Sequence, residues 1–274
     1  MRLHPAAIRF ATIVAGATVL AAPLSVASAQ RDEKTSDFKW SDQVAAGRRV
    51  RIGNLNGKVT VGQATGNRVE VTAVKRWRTG DPESVHIVAH KVGEDVEICA
   101  LWDKREDCDE SQSRSNHRSR WNDDNDDDVS VDFTVMIPKG TRLTASSVNG
   151  GITVTGATAD VNLNAVNGTI RVESGGGPLS VSTVNGSVRA RITSESMNAE
   201  MTFTTVNGDV VAELPDNFGA DVSMTTVNGD LQTDFPMTMR GRIDPHHLSV
   251  HVGAAGGPRI TLTTVNGGIE LRKR

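Results

Sequence analysis

Two aspartates could do acid–base chemistry, because they occupy the same place in consecutive units of a repeat. Asp209 and Asp230 each follow a Val-Asn-Gly tripeptide. If the units stack as neighbouring strands, the two carboxylates lie one strand apart, and like charges that close raise a pKa or recruit a cation. Carboxylate pairs carry out glycoside hydrolysis, so an envelope polysaccharide-acting enzyme is one alternative. No third carboxylate, lysine or arginine repeats beside the pair, and we therefore expect no catalytic residue and no enzyme.

Two further groups of side chains have the chemistry of metal ligands. The first is an acidic run of possible calcium ligands: Asp123, Asp124, Asp126, Asp127 and Asp128. It lacks the glycine and the distant glutamate of an EF-hand loop, and acidic runs are usually solvated. The second is a histidine group that could hold zinc or copper: His246, His247 and His251. It also fits a polar loop that enters an exposed strand. The sequence therefore predicts no metal site and no cofactor.

The two cysteines of the chain lie close together in the sequence. Cys99 and Cys108 are nine positions apart. An exported protein meets an oxidising compartment, where such a pair forms a disulfide. No Cys-x-x-Cys motif accompanies them, which disfavours a metal site. We expect the disulfide, with free thiols as the alternative.

A Val-Asn-Gly tripeptide recurs along the chain. Its valines stand at positions 148, 166, 184, 206, 227 and 265, so the successive gaps are 18, 18, 22, 21 and 38 residues. Because the last gap is about twice the others, we expect a diverged unit in residues 237–257. Leu55-Asn56-Gly57 repeats the same pattern near the N-terminus. A recurrent period of about 20 residues is typical of stacked coils in a solenoid.

Apolar and polar residues alternate on both sides of each tripeptide. One unit has its apolar or small residues at Leu179, Val181 and Thr183 before the tripeptide and at Val188, Ala190 and Ile192 after it. This period of two predicts two short strands with one buried face, so the chain is expected to be all-β. We expect the Asn-Gly pair where φ is positive, because glycine and asparagine tolerate that region best.

Two architectures fit this pattern. Two-residue hairpins would give a meander, whereas in a solenoid the Asn-Gly pairs would mark a corner of each coil and stack about 4.8 Å apart. The near-constant period favours the solenoid. Stacked asparagine amides would then bond to one another in a structural turn ladder. We expect this ladder to comprise Asn56, Asn149, Asn167, Asn185, Asn207, Asn228 and Asn266, with Gly57, Gly150, Gly168, Gly186, Gly208, Gly229 and Gly267.

Several of these segments resemble one known family. "VDFTVMIPKGTRLTASSVNGGITVTG", the later "STVNGSV" and "TTVNGDV" units, and the closing "GGPRITLTTVNGGIELRKR" are similar to the bacterial putative-adhesin family of β-strand-repeat domains of unknown function. The resemblance covers roughly residues 48–274, with an interruption at 101–128. It implies a right-handed β-solenoid, and it implies no established biochemical activity.

The N-terminus predicts export. Residues 1–29 carry Arg2 and Arg9, then an apolar run, then Ala27 and Ala29 at the −3 and −1 positions of a cleavage site. This is the pattern of a secretory signal peptide. An uncleaved membrane anchor is the alternative, but the apolar run is shorter than the ~20 residues that a spanning helix needs. No later segment is apolar enough to span a membrane, so we expect a periplasmic, cell-surface or extracellular protein.

The rest of the chain divides by composition and pattern. We predict an N-terminal linker at 30–47 and an N-terminal β segment of the repeat domain at 48–100. Residues 101–128 are densely charged and have no periodicity, which is typical of a disordered insertion. The β-solenoid repeats follow at 129–274.

Composition narrows the functional classes. The formal net charge is −3, tyrosine is absent and aromatic residues make up 4% of the chain, which argues against nucleic-acid binding and disfavours aromatic sugar platforms. We expect a non-enzymatic adhesin or cell-envelope interaction module whose partner is a protein or glycan. The alternatives are the polysaccharide enzyme centred on Asp209 and Asp230, and a structural or regulatory envelope protein. In that last case, the basic segment 114–120 and the acidic run would dock a partner electrostatically. The sequence does not indicate an oligomeric state.

Overall fold

The computed structural model describes residues 33–102, 108, 128–195, 198–236, 246–253 and 257–274. Within these residues the chain forms strands almost throughout, and one 3-10 turn at Pro82–Ser84. The strands of the first half are β1 (Lys34–Gln43), β2 (Arg49–Asn56), β3 (Val59–Gln63), β4 (Arg68–Trp77), β5 (Val85–Val92), β6 (Asp95–Trp102), β7 (Ser130–Ile137), β8 (Arg142–Asn149), β9 (Ile152–Ala157) and β10 (Val161–Asn167). Those of the second half are β11 (Ile170–Ser174), β12 (Leu179–Asn185), β13 (Val188–Ile192), β14 (Met201–Asn207), β15 (Val210–Leu214), β16 (Ala220–Asn228), β17 (Leu231–Thr233), β18 (His247–Val252), β19 (Arg259–Asn266) and β20 (Ile269–Lys273).

The strands form two sheets of ten. The first sheet has the order β1-β4-β7-β3-β9-β11-β13-β15-β20-β17. The second sheet has the order β18-β16-β19-β14-β12-β10-β8-β2-β6-β5. Pairing is parallel through the middle of both sheets and at the β17 end of the first sheet. It is antiparallel at the other three ends, where β1 pairs with β4, β4 with β7, β5 with β6, and β16 with β18. The protein is therefore all-β, with two long and mostly parallel sheets.

Each coil of the stack contains one strand from each sheet. The chain runs along a strand of the second sheet, turns at an Asn-Gly pair and returns along a strand of the first sheet. Neighbouring coils pair in phase, so that Asn167 lies opposite Asn185 and Ile170 opposite Val188. A meander of hairpins is excluded, because consecutive strands of a hairpin pair antiparallel with each other. The stacked-coil alternative describes the observed fold.

The core lies between the two sheets and follows the alternation of the sequence. In β12 the burial pattern is buried, exposed, buried, half-buried, buried, and β13 alternates in the same way. Leu179, Val188 and Ile192 are at most 2% exposed. Burying a side chain of this size stabilises the fold by about 1.5–3 kcal/mol, and each coil adds several such residues to one continuous core.

The coils do not stack in sequence order at the C-terminal end. The last coil, β19–β20, lies between coil β14–β15 and coil β16–β17, because Asn266 pairs with both Asn207 and Asn228. The expected diverged unit in residues 237–257 is wrong. That stretch contributes β18, which runs antiparallel to β16 at the edge of the second sheet, while residues 237–245 and 254–256 lie outside the described residues. The long gap therefore contains an antiparallel edge strand, after which the chain places its final coil inside the stack.

The N-terminal end corrects a second prediction. Residues 34–43 form β1 rather than part of a linker, since β1 pairs with β4 over ten residues. Its alternation places Phe38 and Trp40 against the core, where both are half-buried. In the sequence, these two aromatic residues are the main indication of a buried strand face, and the charged residues around them obscure the alternation.

The boundary of the charged insertion also moves. Leu101 and Trp102 belong to β6, so the strand runs two residues past the predicted end of the N-terminal β segment. Apart from these residues, Cys108 and Asp128, the insertion lies outside the described part of the chain, as does the predicted signal peptide. In the part of the chain that the structure describes, no helix has the length and hydropathy to cross a membrane.

Candidate interaction face

The seven predicted asparagines line up at one corner of the stack. Six of the amides donate from Nδ2 to Oδ1 of the asparagine in the next coil, over 2.8–2.9 Å, and Asn56 at the end of the ladder accepts the last bond. The order of the bonds is Asn228 to Asn266, Asn207, Asn185, Asn167, Asn149 and Asn56. All six bonds run in the same direction, so the amide dipoles align and polarise one another.

The seven predicted glycines lie beside the asparagines and are required for a different reason than expected. Gly150, Gly168 and Gly229 do not have φ in the left-handed region. A Cβ atom on any of them would nevertheless lie 1.8–2.2 Å from the carbonyl oxygen of the glycine in the neighbouring coil. The prediction that positive φ selects glycine is therefore wrong at these three corners. Close approach between stacked backbones excludes a side chain there.

A threonine that precedes the tripeptide adds another hydrogen bond to the corner. Thr183, Thr205, Thr226 and Thr264 are 1–2% exposed. Each Oγ1 donates to a glycine carbonyl of the adjacent coil, at 2.8–3.0 Å. The repeat pattern predicts only a small residue at this position. The recurrence of threonine there could have indicated the hydrogen bond, because a threonine hydroxyl satisfies a carbonyl that valine would leave unpaired.

The valines of the tripeptide form an exposed apolar row beside the asparagines. Six exposed valines occupy the same position on successive strands of the second sheet. Their order across the sheet is Val148, Val166, Val184, Val206, Val265 and Val227. Each is between 37% and 57% exposed. Their spacing is that of neighbouring strands, about 4.8 Å. Contiguous exposed apolar surface of this kind is typical of an interaction site.

The valine row is one edge of a larger uncharged surface, which we call the neutral face. It consists of three rows of outward side chains on β8, β10, β12, β14, β19 and β16. A further outward row on these strands contains Arg142, Arg259 and Asp221 and does not belong to the neutral face. The first two rows are Thr144, Asn162, Ser180, Thr202, Thr261 and Ser223, and Ser146, Asn164, Ser182, Thr204, Thr263 and Thr225. The third is the valine row. None of the eighteen residues is ionisable, and the face measures roughly 24 Å by 13 Å from strand geometry.

Charged and titratable residues border the neutral face at both ends. On the next strand, β2, Arg51 lies opposite Thr144 and pairs with Glu97 on β6 over 3.1 Å. At the other end, β18 places His247 Nδ1 2.9 Å from Thr225 Oγ1 and His251 Nδ1 2.8 Å from Asp221 Oδ1. The absence of charge is therefore confined to the three rows of the neutral face.

The outer surface of the first sheet differs, and we call it the charged face. Its outward residues on β11, β13, β15 and β20 include Arg171, Glu173, Arg189, Arg191, Glu213, Glu270 and Arg272. Arg191 Nε pairs with Glu213 Oε2 over 2.8 Å, and Arg272 pairs with Glu270. Such surface pairs stabilise little, about 0–1 kcal/mol each, but they keep this sheet hydrated.

The structure does not bring the candidate catalytic pair together. Asp209 and Asp230 follow the corners of coils β14–β15 and β16–β17, and the inserted coil β19–β20 separates them. Gly268 of that coil donates its N–H to Asp209 Oδ1 at 2.9 Å, while Ile269 N–H bonds the Asp230 carbonyl. The two aspartates are thus two strand spacings apart, or about 10 Å, and the expectation of one strand spacing is wrong.

The predicted metal-ligand groups have other partners where the structure describes them. Asp128 accepts hydrogen bonds from the N–H groups of Gly80, Arg78 and Thr79. Those donors, with Gly80 first, hold the pKa of the Asp128 carboxyl below its usual value. His247 and His251 face Thr225 and Asp221, and the remaining aspartates of the acidic run lie outside the described residues. Among the described residues, no three histidine, cysteine, aspartate or glutamate side chains are grouped to hold a metal ion.

The two cysteines are joined in the structure. Cys99 lies in β6 and is 3% exposed, and its disulfide with Cys108 spans 5.9 Å between Cα atoms. The bond fixes Cys108 at the edge of the core, nine residues after Cys99.

Comparison with known proteins gives a family and several distant structures. A putative cell adhesion protein from Clostridium sporogenes has a TM-score of 0.49 at 10% identity, covering 87% of this chain and 100% of that chain. A putative adhesin from Bacteroides fragilis has 0.38 at 11%, covering 87% and 97%. A putative lipid binding protein from Parabacteroides distasonis has 0.37 at 7%, covering 87% and 96%. No curated protein matches the chain. The family model of Toastrack DUF4097 matches residues 37–272, so the chain belongs to that family.

Proposed function

We propose that this Toastrack DUF4097 chain is an exported, non-enzymatic interaction module of the cell envelope or cell surface, and that it binds a protein or glycan partner through the neutral face. One observation carries the proposal: eighteen outward positions on six adjacent strands hold no charge and include the exposed valine row. On the first sheet, seven outward positions of β11, β13, β15 and β20 are charged. A stack that needed only solubility would have charges on both sheets.

The chemistry of the neutral face defines the partner surface that fits it. Hydroxyl and amide groups offer donors and acceptors at regular intervals, and the valines offer apolar contact beside them. A charged group buried against this face would lose its hydration without finding a counter-ion, which costs several kcal/mol. The centres of protein interfaces are likewise depleted of charge. The partner therefore contacts this face with an uncharged protein surface or a neutral glycan.

Two features support export. The signal-peptide pattern of residues 1–29 precedes the repeats, and a disulfide between Cys99 and Cys108 persists in an oxidising compartment. Within the described residues, the separation of Asp209 from Asp230 supports the non-enzymatic interpretation. The mature chain starts at Gln30 in this proposal.

The corner ladder has a structural role in this proposal. The inner asparagine side chains both donate to and accept from adjacent coils, and the threonine hydroxyls bond glycine carbonyls there, which leaves the ladder with few free groups for a ligand. We also propose right-handed winding with repeats of about 18–22 residues, as in the family resemblance. Right-handed crossovers between parallel strands are favoured in about 98% of cases.

A cosedimentation experiment tests the face. Labelled mature protein is mixed with envelopes isolated from the producing cells, and the bound fraction is measured for the natural chain, Thr202→Lys and Thr60→Lys. Both threonines are exposed on strands, but Thr202 is on the neutral face and Thr60 is on β3 of the first sheet. We expect Thr202→Lys to weaken binding at least about tenfold, because it buries an unpaired charge. Equal binding by all three proteins would contradict the proposal.

Protease treatment of intact cells separates the two possible locations. A C-terminal tag reports the protein, and a periplasmic protein serves as the control. Loss of the tag while the control survives places the protein on the surface and favours adhesion. Protection until the envelope is opened makes the protein periplasmic and removes the adhesin version of the proposal. Recovery of the tag in the cytoplasm would contradict export.

A further inference from the structure

The charged face contains one pair of arginines that breaks its own pattern. Arg171 on β11 and Arg189 on β13 lie directly opposite each other. Their other neighbours in the same row are Thr153 and Val211, so no acidic residue adjoins the pair along the row. Both arginines are exposed. In the part of the chain that the structure describes, neither side chain forms an ion pair or hydrogen bond.

The next row on the same strands has alternating charges. There Glu173 lies opposite Arg191, which lies opposite Glu213. Arg191 and Glu213 form an ion pair over 2.8 Å. Opposite charges across neighbouring strands stabilise a sheet, whereas like charges directly opposite each other destabilise it. Arg171 and Arg189 therefore weaken the stack at a place where one glutamate would have strengthened it.

A position that breaks a local rule without a structural gain points to a binding role. We propose that Arg171 and Arg189 together bind a phosphate group. The two strands are about 4.8 Å apart, so two guanidinium groups can converge on one tetrahedral oxyanion from adjacent coils. Each guanidinium presents a planar fork of N–H donors that matches phosphate geometry. The bound charge would cancel the repulsion that the pair creates.

The surroundings suit such a ligand. A shallow depression of about 350 Å³ includes both arginines together with the outward side chains of Thr153 and Thr155. The threonine hydroxyls can donate further hydrogen bonds to phosphate oxygens. Glu173 and Glu213 border the depression, which limits the favourable site to the row that contains the arginine pair. The site lies on the sheet opposite the neutral face, so this inference does not depend on the proposed function.

Calorimetric titration with inorganic phosphate tests the site on the full mature chain. The proteins are the natural chain, Arg171→Gln, Arg189→Gln, and the control Arg259→Gln, which makes the same change at an exposed arginine of β19 that lies opposite Asp221. We expect phosphate to bind the natural chain and the control equally, and to bind each of the other two variants at least about tenfold more weakly. No binding to the natural chain, or an equal loss in the control, overturns the proposal.

A vesicle experiment identifies the source of the phosphate. Vesicles of phosphatidylcholine alone and vesicles that also contain phosphatidylglycerol are sedimented with the same four proteins. Binding that requires phosphatidylglycerol and both arginines assigns the phosphate to a lipid headgroup. Phosphate binding in the titration without vesicle binding assigns it to a soluble phosphate. Vesicle binding that survives both substitutions, with no phosphate binding, overturns the site. Arg189→Lys should bind phosphate with intermediate strength, because it keeps the charge and loses the fork.

Discussion

The neutral face and the charged face are two surfaces of one stack with the same internal pattern. Inward positions on both sheets hold valine, leucine, isoleucine and alanine, and their burial is almost complete. Outward positions diverge, since the neutral face holds serine, threonine, asparagine and valine, whereas arginine and glutamate predominate on β11, β13, β15 and β20 of the charged face. The fold requires only the inward pattern. The difference between the outward patterns therefore carries the information about function.

The largest expected effect comes from removing the coil that both faces share near the C-terminus. Deleting residues 258–274 removes β19–β20 and the fully buried Ile260, Leu262, Ile269 and Leu271. The lost burial is worth roughly 6–12 kcal/mol, which is comparable to the whole stability of a typical domain. We expect no cooperative unfolding transition by circular dichroism in urea. A chain that ends at Arg272 is the control. A near-normal midpoint for the deletion would mean that β16 stacks directly on β14.

Cysteine pairs test the same coil order without deleting anything. Asn207→Cys with Asn266→Cys should form a disulfide, because adjacent strands place Cα atoms within the usual 4.4–6.8 Å. Asn207→Cys with Asn228→Cys should not, because those strands are two spacings, or about 10 Å, apart. Non-reducing mass spectrometry distinguishes the pairs. The reverse result would give the coils sequential order and return Asp209 to the side of Asp230.

A smaller effect is expected at the corner that separates the two faces. Gly186→Ala places a Cβ about 2.2 Å from the carbonyl oxygen of Gly168, so the stacked backbones must move apart. Overpacking of this kind costs about 3 kcal/mol, measured as the change in free energy of unfolding in urea. Gly66→Ala is the matched control, since its Cβ would meet nothing within 4 Å. Equal stabilities would mean that the corner tolerates side chains.

The asparagine ladder should contribute less, and its middle more than its end. Asn185 donates to Asn167 and accepts from Asn207, whereas Asn228 makes only the bond to Asn266 within the ladder. Asn185→Ala should destabilise by about 1–2 kcal/mol and Asn228→Ala by about half as much. The measurement is again urea unfolding. Equal losses at both positions would argue against a bonded ladder.

The smallest expected effect is local and depends on pH. The pKa of Asp128 is lowered in the fold by the N–H donors of residues 78–80. A lowered pKa stabilises the folded loop above the unfolded pKa, near 3.8, and this stabilisation disappears as the pH falls through the folded pKa. The protection factor of the Gly80 amide, in which the exchange rate is corrected for the intrinsic rate at each pH, should therefore fall below about pH 4, and Asp128→Asn should remove that dependence. Exchange at Val184 on the neutral face, which has no titratable group, should lack it in both proteins.

Sequence patterns predicted the strands and the corner but could not predict the order of the coils. Alternation fixes which side chains face inward, because the period of a strand is two. The segments "TTVNG" at 204–208, 225–229 and 263–267 are identical, so each coil presents the same edge to any neighbour. Local pattern therefore cannot decide which coil lies next to which. Only the energetics of the whole stack selects the inserted position of β19–β20.

The neutral face could have been found in the sequence, although the tripeptide was interpreted only as a turn. The outward residues of the alternation are as regular as the inward ones, and their lack of charge is visible at Ser180, Ser182 and Val184. The corner role of glycine could not be assigned correctly in the same way. Close approach to the neighbouring coil depends on three-dimensional stacking, whereas positive φ is a local property.

Hydroxyl-radical footprinting of the protein, free and bound to isolated envelopes, tests the role of the neutral face most directly. Radical labelling reports the solvent exposure of single side chains, and the exposed Val184 and Val206 are its reporters on this face. Thr60 on the first sheet is the internal reference. We predict that labelling of both valines falls several-fold on binding while Thr60 is unchanged. Labelling of the valine row at the same rate in the bound and free protein would contradict binding through the neutral face.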